Sequence, residues 1–167
     1  MTKRMVVEVI LAVCLAMVAM PVVGAEKVPL DRVALQGVKV GKGVFDINLT
    51  DPLRLPLYLG VIEETLDGLK AQGVKPELVV AFRGTAVKLV SSQREGFDHE
   101  QQAALDESDE LIKELAQAGV RFEACAIATR LFGVENNSVL PQVKVVGNTF
   151  NSLIGYQAKG YALIPIQ

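Results

Sequence analysis

The chain has 167 residues, 17 basic against 19 acidic, and a formal net charge of −2 with its one histidine neutral. That balance argues against nucleic acid as a partner, because binding it demands a basic face. One His and two Cys leave no set of three or four ligands for a zinc ion, so no metal and no cofactor are expected.

In chain order, Lys3 and Arg4 form a short basic start. An apolar run follows through Val6, Ile10, Leu11, Val13, Leu15 and Val18, interrupted only by Glu8. Pro21 breaks it, and Val23-Gly24-Ala25 supplies small residues for a peptidase. This layout predicts a secretory signal peptide over residues 1–25, cut after Ala25, and a periplasmic or secreted mature protein. Two other readings stand beside it. The run is near the lower length for spanning a bilayer, which would leave the protein membrane-anchored through an uncleaved leader. Cys14 in Leu11-Ala12-Val13-Cys14 is also a formal lipoprotein cysteine.

Cleavage leaves 142 residues, an ordinary size for one domain with its own core. The mature chain then carries 15 basic and 18 acidic residues, and one cysteine, Cys125. It has no second long apolar run, so no stable membrane insertion is expected once the leader is gone. A lone thiol in an oxidising compartment is buried, paired between chains, or chemically employed.

Residues 26–43, with Pro29, Gly37, Gly41 and Gly43, read as an extended N-terminal arm with room for one edge strand. From 44 to 167 the pattern is that of one α/β domain. Val44-Phe45-Asp46-Ile47-Asn48-Leu49 is apolar at every second position, a strand signal. Asp51-Pro52 then opens a helix whose buried face is Leu59, Ile62, Leu66 and Leu69, with Pro56 a potential kink and Gly73 the stop. Leu78 to Phe82 is a short apolar strand of the kind buried on both faces of a parallel sheet. Arg83-Gly84 turns the chain, and Thr85 to Val90 forms one helical piece before a polar loop. Asp98, with Gln101 three residues on, caps an amphipathic helix carrying Leu105, Leu111, Ile112 and Leu115 as far as Gly119.

Val120 to Ala124 is the third strand, and Cys125 follows it directly. A short helix over 126–132 ends at Gly133. Val143 to Val146 is a fourth strand, Asn148 caps a helix bearing Phe150, Leu153 and Ile154, and Tyr161 to Ile164 closes as a fifth strand. The order β-α-β-α-β-α-β-α-β predicts a mostly parallel five-stranded sheet with helices on both faces, a flavodoxin-like three-layer α/β/α domain.

Cys125 draws the attention because chemistry in an open α/β sheet gathers at the carboxyl ends of the strands. Its place at the start of a helix exposes it to the unpaired N–H groups of Ala126, Ile127 and Ala128, which favour an anion such as a thiolate. Its neighbours Ala124, Ala126 and Ile127 are apolar, so a merely packed cysteine fits the same pattern. Arg83 and Gly84, at the end of the neighbouring strand, are candidates to approach the same edge; a surface salt bridge is the other reading of Arg83. Arg130 is expected to face solvent. His99 lies in another part of the chain, which disfavours a Cys–His pair. No G-x-S-x-G elbow and no phosphate-binding loop is present.

Four stretches resemble the DsrE/DsrF-like family, small α/β proteins that include sulfur-relay components. They are Val79 to Leu89, Gly119-Val120-Arg121-Phe122-Glu123-Ala124-Cys125, Leu140 to Val146, and Tyr156-Gln157-Ala158-Lys159-Gly160-Tyr161-Ala162. Their order and spacing agree over nearly all of residues 44–165. The resemblance implies a persulfide carried on Cys125, in a sulfurtransferase-like carrier rather than a turnover enzyme. It also implies a homo-oligomer, trimer or hexamer, with a dimer the smaller alternative, and a sulfur donor or acceptor as partner. With its leader the chain is similar to the exported branch of that family. A binding or assembly module on the same fold is the alternative function. Oligomers would cover apolar surface, of which Tyr161 and the N-terminal arm are expected to be part.

Overall fold

The computed structural model describes residues 29–167, so the predicted leader lies outside the described residues. Strand β1 spans Val40–Ile47 and β2 spans Lys75–Phe82. Both start earlier than the apolar pattern indicates. Gly41 and Lys42 pair with Pro76 and Glu77 in the same parallel ladder that joins Val44 to Val79, so backbone pairing extends beyond the hydrophobic segment. The end of the arm is therefore strand, as part of β1, which lies inside the sheet between β2 and β5 rather than at its edge.

Between them, Asp51 accepts the Leu53 N–H at 2.9 Å and caps a single 3-10 turn, Pro52–Arg54. Helix α1, Leu55–Ala71, follows. Pro56 falls in its first turn, where a missing N–H breaks no intrahelical bond. Leu55, Leu59, Ile62 and Leu66 are buried, and Leu69 packs partly buried against them. The helical piece after β2 is a 3-10 helix, Gly84–Val90, with Ala86, Val87, Leu89 and Val90 inside. Helix α2, His99–Gln117, has both halves of its capping box: Gln101 N–H donates to Asp98 at 2.9 Å, and Asp98 N–H donates to Gln101 at 3.1 Å.

Strand β3 is Arg121–Cys125, and helix α3, Ala126–Phe132, leaves it without a connecting loop and ends on left-handed Gly133. Strand β4 is Val143–Val146, helix α4 is Thr149–Ala158, and strand β5 is Ala162–Ile166. The five strands run parallel in the order β4-β3-β2-β1-β5.

Alternation along the strands divides the core in two. Phe45, Ile47, Leu78, Val80, Phe82, Phe122 and Ala124 point to one face and pack with α1, α2, α3 and the 3-10 helix. Val44, Val79 and Ala81 point to the other face and pack with Leu153 of α4 and Tyr161. Each fully buried large apolar side chain contributes about 1.5–3 kcal/mol, so the first face dominates stability. Tyr161 departs from the expectation of exposed apolar surface. It is buried, packs 5.0 Å from the Tyr156 ring, and accepts a 2.6 Å hydrogen bond from Arg121. No helix among the described residues is long and apolar enough to cross a membrane.

Candidate functional site

Cys125 is the last residue of β3 and the N-cap of α3, with φ −78° and ψ 115°. Strand β4 lies beside it, with Val146 as the in-register partner of Cys125. Because the two strands are parallel, both chains leave the sheet at the same end. Three residues after Val146, helix α4 begins at Thr149. Asn148 caps that helix by accepting the Phe150 N–H at 2.9 Å, which fixes where its first N–H groups point. Two strand-to-helix turns thus meet at one sulfur.

The residue is 5% exposed. Burial alone pushes its thiol up, but donors outweigh it. The backbone N–H of Thr149, the N–H of Ala128, the Thr149 hydroxyl and the N–H of Ile127 all favour the thiolate, and the pKa lies below the ordinary thiol value. Ile127 and Ala128 therefore stand where the sequence places them. Ala126 lies beside them as the first residue of α3. Thr149 contributes twice, and sequence reasoning misses it. Asn148 is recognisable as a cap, but nothing local says that β4 is the neighbour of β3.

Thr149 is 1% exposed, and its Oγ1 completes no hydrogen bond. The hydroxyl lies close enough to Cys125 to favour its thiolate without forming a full bond to it. Close by in the chain, Thr129 in α3 is satisfied, with Asn136 Oδ1 at 2.7 Å and the Ala126 carbonyl at 3.1 Å from its hydroxyl.

Arg83 serves a different partner. Its Nε and Nη2 donate to the two carboxylate oxygens of Asp46 at 2.7 and 3.0 Å, and Asp46 is buried. The pair is thus a salt bridge, but one set into the structure rather than on its surface. The guanidinium also lies 5.8 Å from the Phe150 ring centre, over the first turn of α4. Gly84 shapes the turn after β2: its φ is +55°, and a Cβ there would collide with the Asn48 side chain. His99 is exposed at the start of α2, and Arg130 is exposed as expected.

Chemically, the arrangement can hold a sulfur anion. A cleft of about 330 Å³ lies at the C-terminal end of α3, lined by Lys88, Gln93, Phe97 and Phe132 among others, and does not reach Cys125. No group of three or more His, Cys, Asp and Glu suited to a metal exists among the described residues.

Comparison with known proteins bears on the whole domain. The model of the DsrE/DsrF-like family matches residues 42–166. An uncharacterized protein of Aquifex aeolicus is 27% identical over 125 residues, covering 74% of this chain and 55% of that protein. The chain thus spans little more than half the length of that curated relative. Among solved structures, the protein of unknown function MTH1491 from Methanobacterium thermoautotrophicum is similar with a TM-score of 0.61 and 22% identity. The match covers 75% of this chain and 99% of that one. The conserved protein of unknown function BT1422 from Bacteroides thetaiotaomicron gives a TM-score of 0.53 at 19% identity, over 75% and 95% of the two chains. These two likenesses establish the shared fold.

Proposed function

Because the chain belongs to the DsrE/DsrF-like family, we propose that it binds or transfers sulfane sulfur as a persulfide on Cys125. The observation that supports this reading is the convergence of donors from Ile127, Ala128 and Thr149 on one thiol at the carboxyl end of the sheet. The chemistry is thiol exchange. The Cys125 thiolate attacks the outer sulfur of a donor persulfide or polysulfide and forms a new S–S bond. The donor's S–S bond breaks, and the donor departs as a thiolate; with thiosulfate the leaving group is sulfite. An acceptor thiolate then attacks the outer sulfur, and Cys125 leaves as the thiolate. No net oxidation occurs in either step. The same donors assist both, since they stabilise Cys125 as nucleophile and as leaving group.

Export and assembly complete the proposal. The leader over residues 1–25 directs the protein to the periplasm or beyond, and the mass of the mature chain, expected to start at Glu26, tests that. A homo-oligomer working with a donor or acceptor of sulfur is the form the family suggests. One observation favours the rival reading, a binding or assembly module: the thiol is only 5% exposed. Intact mass after incubation with thiosulfate, polysulfide or a persulfide donor separates the two. We expect one added sulfur atom on the wild type and none on Cys125→Ser. No adduct from any of the donors would leave the binding module as the better account.

A further inference from the structure

A buried hydroxyl with no partner is costly, because water has been removed from it and nothing has replaced the lost hydrogen bonds. Thr149 Oγ1 is such a group, at 1% exposure, beside a sulfur that already receives N–H groups from three residues. It sits on the first residue of α4, a ten-residue helix whose N-terminus favours negative charge. The methyl of valine would fill the same space with no unmet bond. The hydroxyl thus completes no hydrogen bond in the sulfur-free protein, and the Cys125 sulfur is the group it acts on.

We propose that the acceptor is the outer sulfur of the Cys125 persulfide: Thr149 holds the single transferable sulfur atom while the backbone N–H groups hold Sγ. This rests on the persulfide reading and deepens it by naming the cargo and the residue that retains it. The site takes one sulfane sulfur, added by the exchange written above. The terminal sulfur of a persulfide is anionic at neutral pH, so the bond from Thr149 is charge-assisted and about twice as strong as a neutral one. In a mixed disulfide with a large thiol, the outer sulfur is neutral and carries a bulky substituent, so the hydroxyl gains less. Thr149 is therefore a positioning residue with a preference for hydropersulfide over disulfide.

The test compares wild type, Thr149→Val and Thr149→Ser in full-length mature protein. Each is equilibrated with a small persulfide and its thiol at a fixed ratio, and the sulfur-loaded fraction is read by intact mass. Urea melts of the sulfur-free proteins are recorded in parallel. Loss of one charge-assisted hydrogen bond lowers the loading constant about tenfold in Thr149→Val, and Thr149→Ser restores it. At a pH low enough that Cys125 is a neutral thiol, removing a hydroxyl that completes no hydrogen bond leaves the sulfur-free Thr149→Val at least as stable as wild type. Equal loading of wild type and Thr149→Val would overturn the assignment while leaving the persulfide intact. Unfolding of Thr149→Val would also overturn it, since it would reveal a structural partner for the hydroxyl. A wild type that takes no sulfur from this donor or from thiosulfate or polysulfide would remove both readings together.

Discussion

Cys125 illustrates how a side chain's chemistry follows from its donors more than from its exposure. Burial raises a thiol's pKa, yet here the N–H groups of Thr149, Ala128 and Ile127 and the Thr149 hydroxyl reverse the shift. Because the folded value is the lower one, the thiolate's contribution to stability is fully present above the unfolded value of about 8.5. It is lost as pH falls through the folded value. The stability gap between wild type and Cys125→Ser should therefore widen as pH rises through that window, as measured by urea melts at several pH values. The rate of alkylation should likewise reach half its maximum below about pH 8.5. A flat gap and an ordinary alkylation profile would refute the donor geometry. The local part of this is legible: a cysteine directly after an apolar strand and before a helix announces N–H groups at Ile127 and Ala128. Thr149 is not, since 24 positions separate the two residues in sequence.

At the scale of elements, the site is a product of neighbouring parallel strands. Strands β3 and β4 end level with each other, so α3 and, three residues later, α4 both start at the same edge of the sheet. The adjacent strands β1 and β2 end in a different device, the Arg83–Asp46 pair. Asp46 lies inside β1 with little contact with water, and the guanidinium donates to both of its carboxylate oxygens. Arg83→Ala should destabilise the protein by about 3 kcal/mol in urea titration, because it strands a buried carboxylate. The alkylation profile of Cys125 should stay unchanged, since the guanidinium is engaged by both carboxylate oxygens of Asp46. A shift of that profile in Arg83→Ala would restore Arg83 to the sulfur site. From the sequence, Arg83 has two equally good readings, and the choice depends on which strand lies next to β2. The pattern of apolar residues cannot say that, because strand order is written in contacts between distant segments.

For the whole molecule, the question is what the exposed apolar surface does. Leu53, Leu57 and Val61 recur every four residues along the outer side of α1 and its leading turn, and Leu163 and Ile164 are uncovered on the edge strand β5. Surfaces of this kind mark association when they are contiguous. We expect the mature protein to sediment as an oligomer, and a double change, Leu57→Lys with Val61→Lys, to shift it toward monomer with its circular dichroism retained. A wild-type monomer at all concentrations would rule out the assembly. Tyr161, expected from the sequence to be part of such a surface, takes no part because Arg121 and Tyr156 hold it in the smaller core.

The division between what is readable and what is not follows from the range of the forces. Periods of two and of three to four residues, the capping pair Asp98 and Gln101, and the stops at Gly119 and Gly133 act over a few residues. They determined the number and order of the strands and α-helices and the place of Cys125 at a strand end. Strand ends drifted, as β1 and β2 show, because pairing with a neighbour extends a ladder through glycine and proline that no local preference would extend. The order β4-β3-β2-β1-β5, the burial of Asp46 against Arg83 and the arrival of Thr149 at the thiol were decided only by tertiary packing. They depend on which surfaces fit together once the chain has folded back on itself. The sequence thus determined that a thiol would stand at the end of a strand, and the packing of β4 beside β3 decided which groups would surround it.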